Sequence, residues 1–155
     1  MLTDGFNHVA VITTDLDRFI GFYTEVFGAV VKVDQFDGPD EEHRLRMAII
    51  DVGPHSELNV FEMPDNPEAT RQTPMFGRGR LDHIALQANS MESFLTMRDR
   101  LMQRGATDDF VTDFGSIYSL FFRDPDGLEC ELCVTNSDHP PGTHFPPGTR
   151  ATRFS

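Results

Sequence analysis

The chain repeats one short motif in its two halves. Residues 6–11 read FNHVAV and residues 81–86 read LDHIAL, which places the second copy 75 positions after the first. Each copy runs apolar, small polar, His, β-branched, Ala, apolar. Because a six-residue match arises easily by chance, the segments that follow each copy decide whether the two halves share a fold.

A helix pattern follows both copies. In the first half, Asp15 is a good N-cap, apolar residues recur at helical spacing, and Gly28 stands where the helix would end. In the second half, Ser90 is the candidate cap and Gly105 the stop, with another apolar stripe between them. The order of strand, helix and glycine therefore occurs twice.

Further strand-like segments complete each half. They span about residues 29–36, 45–52 and 57–63 in the first half and 110–112, 117–122 and 128–135 in the second. Turn-forming residues separate them, most clearly in the DPDG sequence at 124–127, where Pro presets φ and Gly accepts the left-handed region. The pattern predicts an α+β fold of two tandem βαβββ modules, whose curved sheets form a metal- and substrate-binding cleft.

The same segments set the predicted boundaries. We place the first module at residues 1–63, a linker at 64–80, the second module at 81–135 and a Pro/Gly-rich C-terminal arm at 136–155. The last segment contains Pro-Pro-Gly-Thr twice, which excludes helix and disfavours strand. A disordered tail and an arm lying on a surface both stay open, and Phe145 and Phe154 favour the arm.

Composition limits the classes of partner. The formal net charge is −12, and a surface this acidic repels phosphate backbones and anionic lipids, so we expect no nucleic acid and no membrane partner. No apolar run approaches the ~20 residues that span a bilayer, and no signal-peptide pattern opens the chain, so a cytoplasmic location is expected. Cys130 and Cys133 fall on opposite faces of a predicted strand, which indicates reduced packing residues.

Strand alternation brings four polar residues to equivalent positions. Both motif copies are predicted strands, in which His8 and His83 hold the same place on the face that points away from the helices. The LNVF sequence at 58–61 parallels CELC at 130–133, so Asn59 corresponds to Glu131. If each half curls its sheet around a cleft, these four side chains converge.

Two imidazoles and one carboxylate can hold a metal ion from one side. His8, His83 and Glu131 are the candidate metal ligands, because neutral imidazole nitrogens bind borderline metals and a carboxylate lowers the net charge. The expected cofactor is a divalent metal: Fe, Mn, Co, Ni or Zn. The positions left open would admit water, oxygen or a small-molecule substrate, and Asn59 could add a weak carbonyl ligand or a hydrogen bond.

The chain resembles the vicinal oxygen chelate superfamily, which includes glyoxalase I, extradiol ring-cleavage dioxygenases, methylmalonyl-CoA epimerase, fosfomycin-resistance enzymes and bleomycin-resistance proteins. The motifs that carry the resemblance lie at residues 6–11, 22–28, 81–86 and 122–132, and it covers about residues 5–135. The resemblance implies that His8, His83 and Glu131 occupy metal-ligand positions. It also puts Asn59 at the fourth position, where glyoxalase-like and epimerase-like members usually carry Glu or Gln.

Phe121 falls where the dioxygenases usually carry Tyr, and we expect Asn59 and Phe121 to contact substrate.

The resemblance implies a divalent-metal-dependent enzyme that acts on a small oxygen-bearing substrate. A site with three protein ligands favours dioxygenase-type chemistry, whereas Asn59 weighs against a glyoxalase-like lyase or isomerase. A metal-free drug- or metabolite-binding protein of the bleomycin-resistance type is the remaining alternative, and the strong ligand residues count against it. No catalytic residue beyond the ligands is identified, and the resemblance implies a homodimer.

Overall fold

The computed structural model describes residues 2, 6–37, 45–71, 74, 76–77 and 81–154. These residues form two compact units, one drawn from Met1–Gln72 and Pro125–Gly127 and the other from Thr73–Asp124 and Leu128–Ser155. We call them the first and the second unit. The predicted linker at 64–80 is described only in part, since residues 72, 73, 75 and 78–80 lie outside the described residues.

The first unit is a four-stranded sheet with one helix. Its elements are β1 (His8–Thr13), α1 (Leu16–Phe27), β2 (Val30–Asp37), β3 (Leu45–Gly53) and β4 (Ser56–Glu62). The strand order is β1-β4-β3-β2, with β1 parallel to β4 and the other pairs antiparallel. A parallel neighbour for β1 requires a crossover connection, which α1 and the following strands provide.

Capping residues set both ends of α1, as the sequence predicts. The Asp15 carboxylate accepts a hydrogen bond from the Arg18 amide at 3.0 Å, which satisfies one free N–H of the first turn. Gly28 ends the helix with φ at 69°, a left-handed conformation that costs glycine little. One face of α1 packs on β3 and β4. The fully buried apolar side chains of this unit are Leu16, Val26, Ala48, Ile50 and Val60.

The second unit repeats this topology. Its elements are β5 (Ala85–Gln87), α2 (Met91–Gln103), β6 (Val111–Asp113), β7 (Ile117–Arg123), β8 (Glu129–Thr135) and a short 3₁₀ helix (Thr152–Phe154). The strand order is β5-β8-β7-β6, with only the β5–β8 pair parallel. The predicted α+β class and the two βαβββ modules are therefore confirmed. No helix in the described part of the chain has the length and hydrophobicity needed to cross a membrane.

Strand register makes the two units equivalent at the residues of interest. Ala10 of β1 lies opposite Asn59 of β4, and Ala85 of β5 lies opposite Glu131 of β8. In each motif copy the alanine is two residues after the histidine. Asn59 and Glu131 therefore stand at the same place relative to the two histidines, as the repeat predicts.

The second motif copy departs from the predicted strand. The β5–β8 ladder begins at Ala85, so His83 lies just before the strand instead of inside it. Asp82, the residue before His83, accepts a hydrogen bond at Oδ1 from the Phe76 amide at 2.6 Å, so this part of the motif is held by a contact outside the sheet.

The C-terminal residues lie along the edge strand β6. Single β-bridges join Thr112 to Arg150 and Gly115 to His144. Farther along, the Phe154 ring lies 5.0 Å from the Tyr118 ring and 5.7 Å from the Phe94 ring, measured between centroids. An exposed sheet edge invites pairing with other chains, and this segment covers part of one.

Gly115 is expected to be essential for the contact that the C-terminal segment makes next to β6. Its φ is +91°, and a Cβ built on it would lie 2.7 Å from the Thr143 carbonyl oxygen. Gly142 has a similar φ of +86° with nothing within 4 Å, so Gly142→Ala is a matched control for backbone strain. We expect the free energy of unfolding of both variants to fall by about 1–2 kcal/mol, because alanine is strained in the left-handed backbone conformation. Gly115→Ala should lose a further ~1–3 kcal/mol from the clash, measured by urea unfolding; equal losses would contradict the close approach.

Candidate metal centre

The second unit brings His83 and Glu131 face to face. The imidazole Nε2 lies 3.4 Å from the carboxylate Oε2. Glu131 is buried on the central strand β8, whereas His83 retains some exposure just before β5. A buried carboxylate requires compensating partners, because removing a charge from water without them is costly.

A hydrogen bond holds each of the two side chains through its other polar atom. The Ser119 hydroxyl donates a short hydrogen bond to Glu131 Oε1, and His83 Nδ1 donates to Asp82 Oδ2 at 2.8 Å. A carboxylate can only accept hydrogen bonds, and the Asp82 oxygen lies closer to the ring than the Glu131 oxygen does, so in the neutral form of His83 the proton belongs on Nδ1. In that form Nε2 carries a lone pair and lies 3.4 Å from a second lone-pair-bearing atom, Glu131 Oε2.

Two such facing acceptors fit a cation between them. Ligand atoms about 2.1 Å from a shared metal ion are about 3.0–3.4 Å apart at octahedral or tetrahedral angles. The separation of 3.4 Å between His83 Nε2 and Glu131 Oε2 lies within this range. An imidazole nitrogen and a carboxylate oxygen are also a donor set that divalent Fe, Mn, Co, Ni and Zn accept.

Phe121 forms an aromatic wall beside this pair. It lies opposite Glu131 in the β7–β8 ladder, and its ring meets the His83 ring edge-on at 6.3 Å between centroids. Strand alternation places Tyr118 on the other face, where it is buried. Phe121, and not Tyr118, therefore shares a face with Glu131.

Cys133 also borders Glu131 but is a poor metal ligand as it stands. Burial, followed by the negative charge and hydrogen bonding of the Glu131 carboxylate, raises the pKa of the Cys133 thiol to about 12. The thiolate is the form that binds metals and attacks electrophiles, so near neutral pH this side chain stays an inert thiol. Cys130 and Cys133 are both free and buried, in agreement with the packing role expected for them.

The first unit contains the equivalent half of the pattern. His8 is exposed on β1, and its Nδ1 lies 2.8 Å from the Asn7 side-chain oxygen. Asn59 occupies the same face of the neighbouring strand β4. Its Oδ1 atom is buried and has no hydrogen-bond partner among the residues that the structure describes. A buried acceptor without a donor is uncommon, and a cation or a ligand N–H or O–H would satisfy it.

The described residues assemble the predicted set only in part. His83, Glu131 and Phe121 lie together in the second unit, and His8 and Asn59 share a face of the first. Within the described ranges, no group of three or more His, Cys, Asp and Glu side chains is arranged to hold a metal ion. We therefore treat the complete ligand set as a proposal.

Sequence reasoning missed two residues that organise the site, Asp82 and Ser119. A signal for the first existed, because a small polar residue precedes the histidine in both motif copies. Alternation along β7 also puts Ser119 on the face of Phe121. What the sequence lacks is the cross-strand register that brings the Ser119 hydroxyl to Glu131.

A family model and one curated relative match most of the chain. The model of the Glyoxalase/Bleomycin resistance protein/Dioxygenase superfamily matches residues 5–132. The uncharacterized protein YwkD of Bacillus subtilis (strain 168) is 29% identical over 135 residues, covering 85% of this chain and 98% of the relative. That relative's description names no activity, so it does not narrow the reaction.

Solved structures share the fold. A glyoxylase/bleomycin resistance protein/dioxygenase domain from Frankia sp. EAN1pec superposes with a TM-score of 0.68 at 23% identity, covering 88% of this chain and 96% of that one. The fosfomycin resistance protein FosX from Listeria monocytogenes, complexed with Mn(II) and sulfate, gives a TM-score of 0.60 at 17% identity, covering 89% and 98%. At these identities the likeness establishes the fold alone.

Proposed function

The chain belongs to the Glyoxalase/Bleomycin resistance protein/Dioxygenase superfamily, and from that premise we propose that it is a divalent-metal-dependent enzyme acting on a small oxygen-bearing substrate. The observation that carries the proposal is the pair of lone-pair-bearing atoms, His83 Nε2 and Glu131 Oε2, 3.4 Å apart. Each side chain is oriented by a hydrogen bond at its other polar atom, which Asp82 makes to His83 and Ser119 makes to Glu131. Such support is typical of metal ligands, because it fixes the tautomer and orientation of the ring and of the carboxylate.

We assign His8 as the third ligand, from its equivalence to His83 in the repeat. Asn59, equivalent to Glu131, would add its unpartnered buried oxygen as a weak ligand or as a contact to substrate. Phe121 would provide an apolar wall against which the carbon skeleton of a substrate packs. The Mn(II) named for the FosX complex is consistent with this donor set, since that protein shares the fold.

The bound metal would supply Lewis acidity, polarising a substrate oxygen and stabilising the negative charge that develops on it. The chain's own residues would orient the substrate and exclude water. We propose dioxygenase-type chemistry over glyoxalase-type chemistry. The reason is Asn59: a neutral amide binds metals more weakly than the carboxylate or Gln expected at that position. More coordination positions are then free for oxygen and substrate together.

Metal analysis tests the proposal. Protein purified without chelators should hold about one divalent metal ion per chain, and His83→Ala should lose it. His55→Ala is the matched control, because His55 is an exposed histidine in the turn between β3 and β4. Wild type should also gain about 2.7 kcal/mol in the free energy of unfolding at a metal concentration of ~100 Kd. His83→Ala should gain none.

Protein that contains no metal and cannot be loaded would overturn the proposal and favour a metal-free binding protein. Equal metal loss in His55→Ala would mean that binding is not specific to the site. For the reaction class, the metal-loaded protein is given a panel of catechols and oxygen consumption is followed. Metal-dependent uptake supports a dioxygenase, and its absence across the panel would remove the dioxygenase assignment.

A further inference from the structure

Each histidine of the repeat is hydrogen-bonded by the residue directly before it. His83 Nδ1 lies 2.8 Å from Asp82 Oδ2, and His8 Nδ1 lies 2.8 Å from Asn7 Oδ1. The partner atom is an oxygen acceptor in both cases, so the hydrogen bond forms when Nδ1 carries the ring proton. The two contacts occur separately, one in each unit, and have the same length.

We infer that Asp82 and Asn7 are positioning residues that hold His83 and His8 in the Nδ1–H tautomer. Each ring then presents its Nε2 lone pair away from its own motif backbone. The tautomer of a histidine is set by the hydrogen bond that its other nitrogen makes. The effect on metal affinity rests on the proposed function, whereas the tautomer itself does not.

The Asp82 contact is anchored to the rest of the second unit. While Oδ2 accepts from His83, Oδ1 accepts from the Phe76 backbone amide at 2.6 Å. The carboxylate is therefore fixed at both oxygens, and it fixes the imidazole in turn. At the other end of the pair, Ser119 fixes Glu131. Separate hydrogen bonds thus orient each of the two facing atoms.

The two positioning residues differ in charge, which predicts unequal effects. Asp82 is a carboxylate, and a hydrogen bond to an ionised acceptor is roughly twice as strong as one to a neutral acceptor. Asn7 is a neutral amide beside the exposed His8. We expect the loss of the Asp82 side chain to shift the tautomer of His83 more than the loss of the Asn7 side chain shifts the tautomer of His8.

The tautomers can be read directly by ¹⁵N NMR of the imidazole rings in metal-free protein. At about pH 8.5 an ordinary imidazole is neutral, so the shifts of Nδ1 and Nε2 report which one carries the proton. We expect the Nδ1–H form at both histidines in wild type. Asp82→Leu should move His83 toward the Nε2–H form, and Asn7→Leu should do the same, to a lesser degree, for His8.

Conservative and control variants separate positioning from a general structural role. Asp82→Asn retains an acceptor oxygen, as Asn7 does naturally, so it should keep the wild-type tautomer. Asp65→Leu, at an exposed turn position, should leave both tautomers unchanged. In a competition assay with a chelator, Asp82→Leu should raise the Kd for Co(II) about 10–100-fold. Asp82→Asn should raise it less.

A wild-type His83 in the Nε2–H form would overturn the inference even if no variant folds. So would an unchanged tautomer in folded Asp82→Leu protein. If wild type binds no Co(II), the proposed function fails, but the NMR result still decides the tautomer. If wild type binds Co(II) and folded Asp82→Leu binds it equally well, positioning by Asp82 is contradicted while the metal site stands.

Discussion

Replacing Glu131 with glutamine is expected to stabilise the metal-free protein while abolishing its retention of a divalent metal. Glu131→Gln preserves the size of the side chain, and its amide oxygen can still accept from the Ser119 hydroxyl. The new N–H group would donate to the His83 Nε2 lone pair that otherwise faces Oε2 at 3.4 Å. A cation is then no longer needed between the two side chains.

The expected gain is about 1 kcal/mol in the free energy of unfolding of the metal-free protein, because a buried charge facing an acceptor is replaced by a hydrogen bond. This corresponds to a rise of roughly 2–4 °C in Tm for a chain of this size. Thermal unfolding with and without added metal provides the measurement. Glu68→Gln, at an exposed carboxylate, is the control and should change neither value. Wild-type metal content in Glu131→Gln would contradict the role given to Glu131.

Removing the Phe154 ring is expected to destabilise the second unit strongly. The ring packs against Phe94 and Tyr118, and the Arg98 guanidinium lies 5.6 Å from its centroid. Phe94 is fully buried in α2 and Tyr118 is buried on β7, so Phe154→Ala leaves a cavity beside both. Because Phe154 itself is half-buried, we expect a loss of about 2–4 kcal/mol, below the ~3–5 kcal/mol typical of a core Phe.

Urea unfolding followed by circular dichroism measures this loss. Phe36→Ala is the control, because that ring is 58% exposed on β2 and its removal should change the free energy of unfolding by no more than about 0.5 kcal/mol. If Phe154→Ala resembled Phe36→Ala, the C-terminal segment would contribute little to the unit. The contacts to Phe94 and Tyr118 would then be incidental.

The repeat and the helices were predictable because their signals are local. Asp15 and Gly28 act on the turns next to them, and the apolar stripe of α1 recurs every three or four residues. The equivalence of Asn59 and Glu131 was predictable for a related reason. Strand alternation has a fixed period, so counting from each histidine reaches the same face in both halves.

The surroundings of Glu131 were not predictable in the same way. Ser119 reaches the carboxylate through the register of β7 on β8, which joins residues that are distant in sequence. The hydrogen bond from the Phe76 amide to Asp82 is also a contact that no periodicity encodes. Composition near the C-terminus allowed either a tail or an arm, because the aromatic contacts of Phe154 depend on tertiary packing.

The neutral side chain at Asn59 has a consequence for which substrates the proposed site would select. Where both halves of such a repeat supply a carboxylate, two negative charges neutralise a divalent ion completely. Here Glu131 would supply one and Asn59 none, so one positive charge on the ion would remain uncompensated. In a site shielded from water such a charge attracts anions strongly. The proposed centre would therefore discriminate by ionisation state, retaining a deprotonated hydroxyl or carboxylate group and releasing its protonated or esterified counterpart.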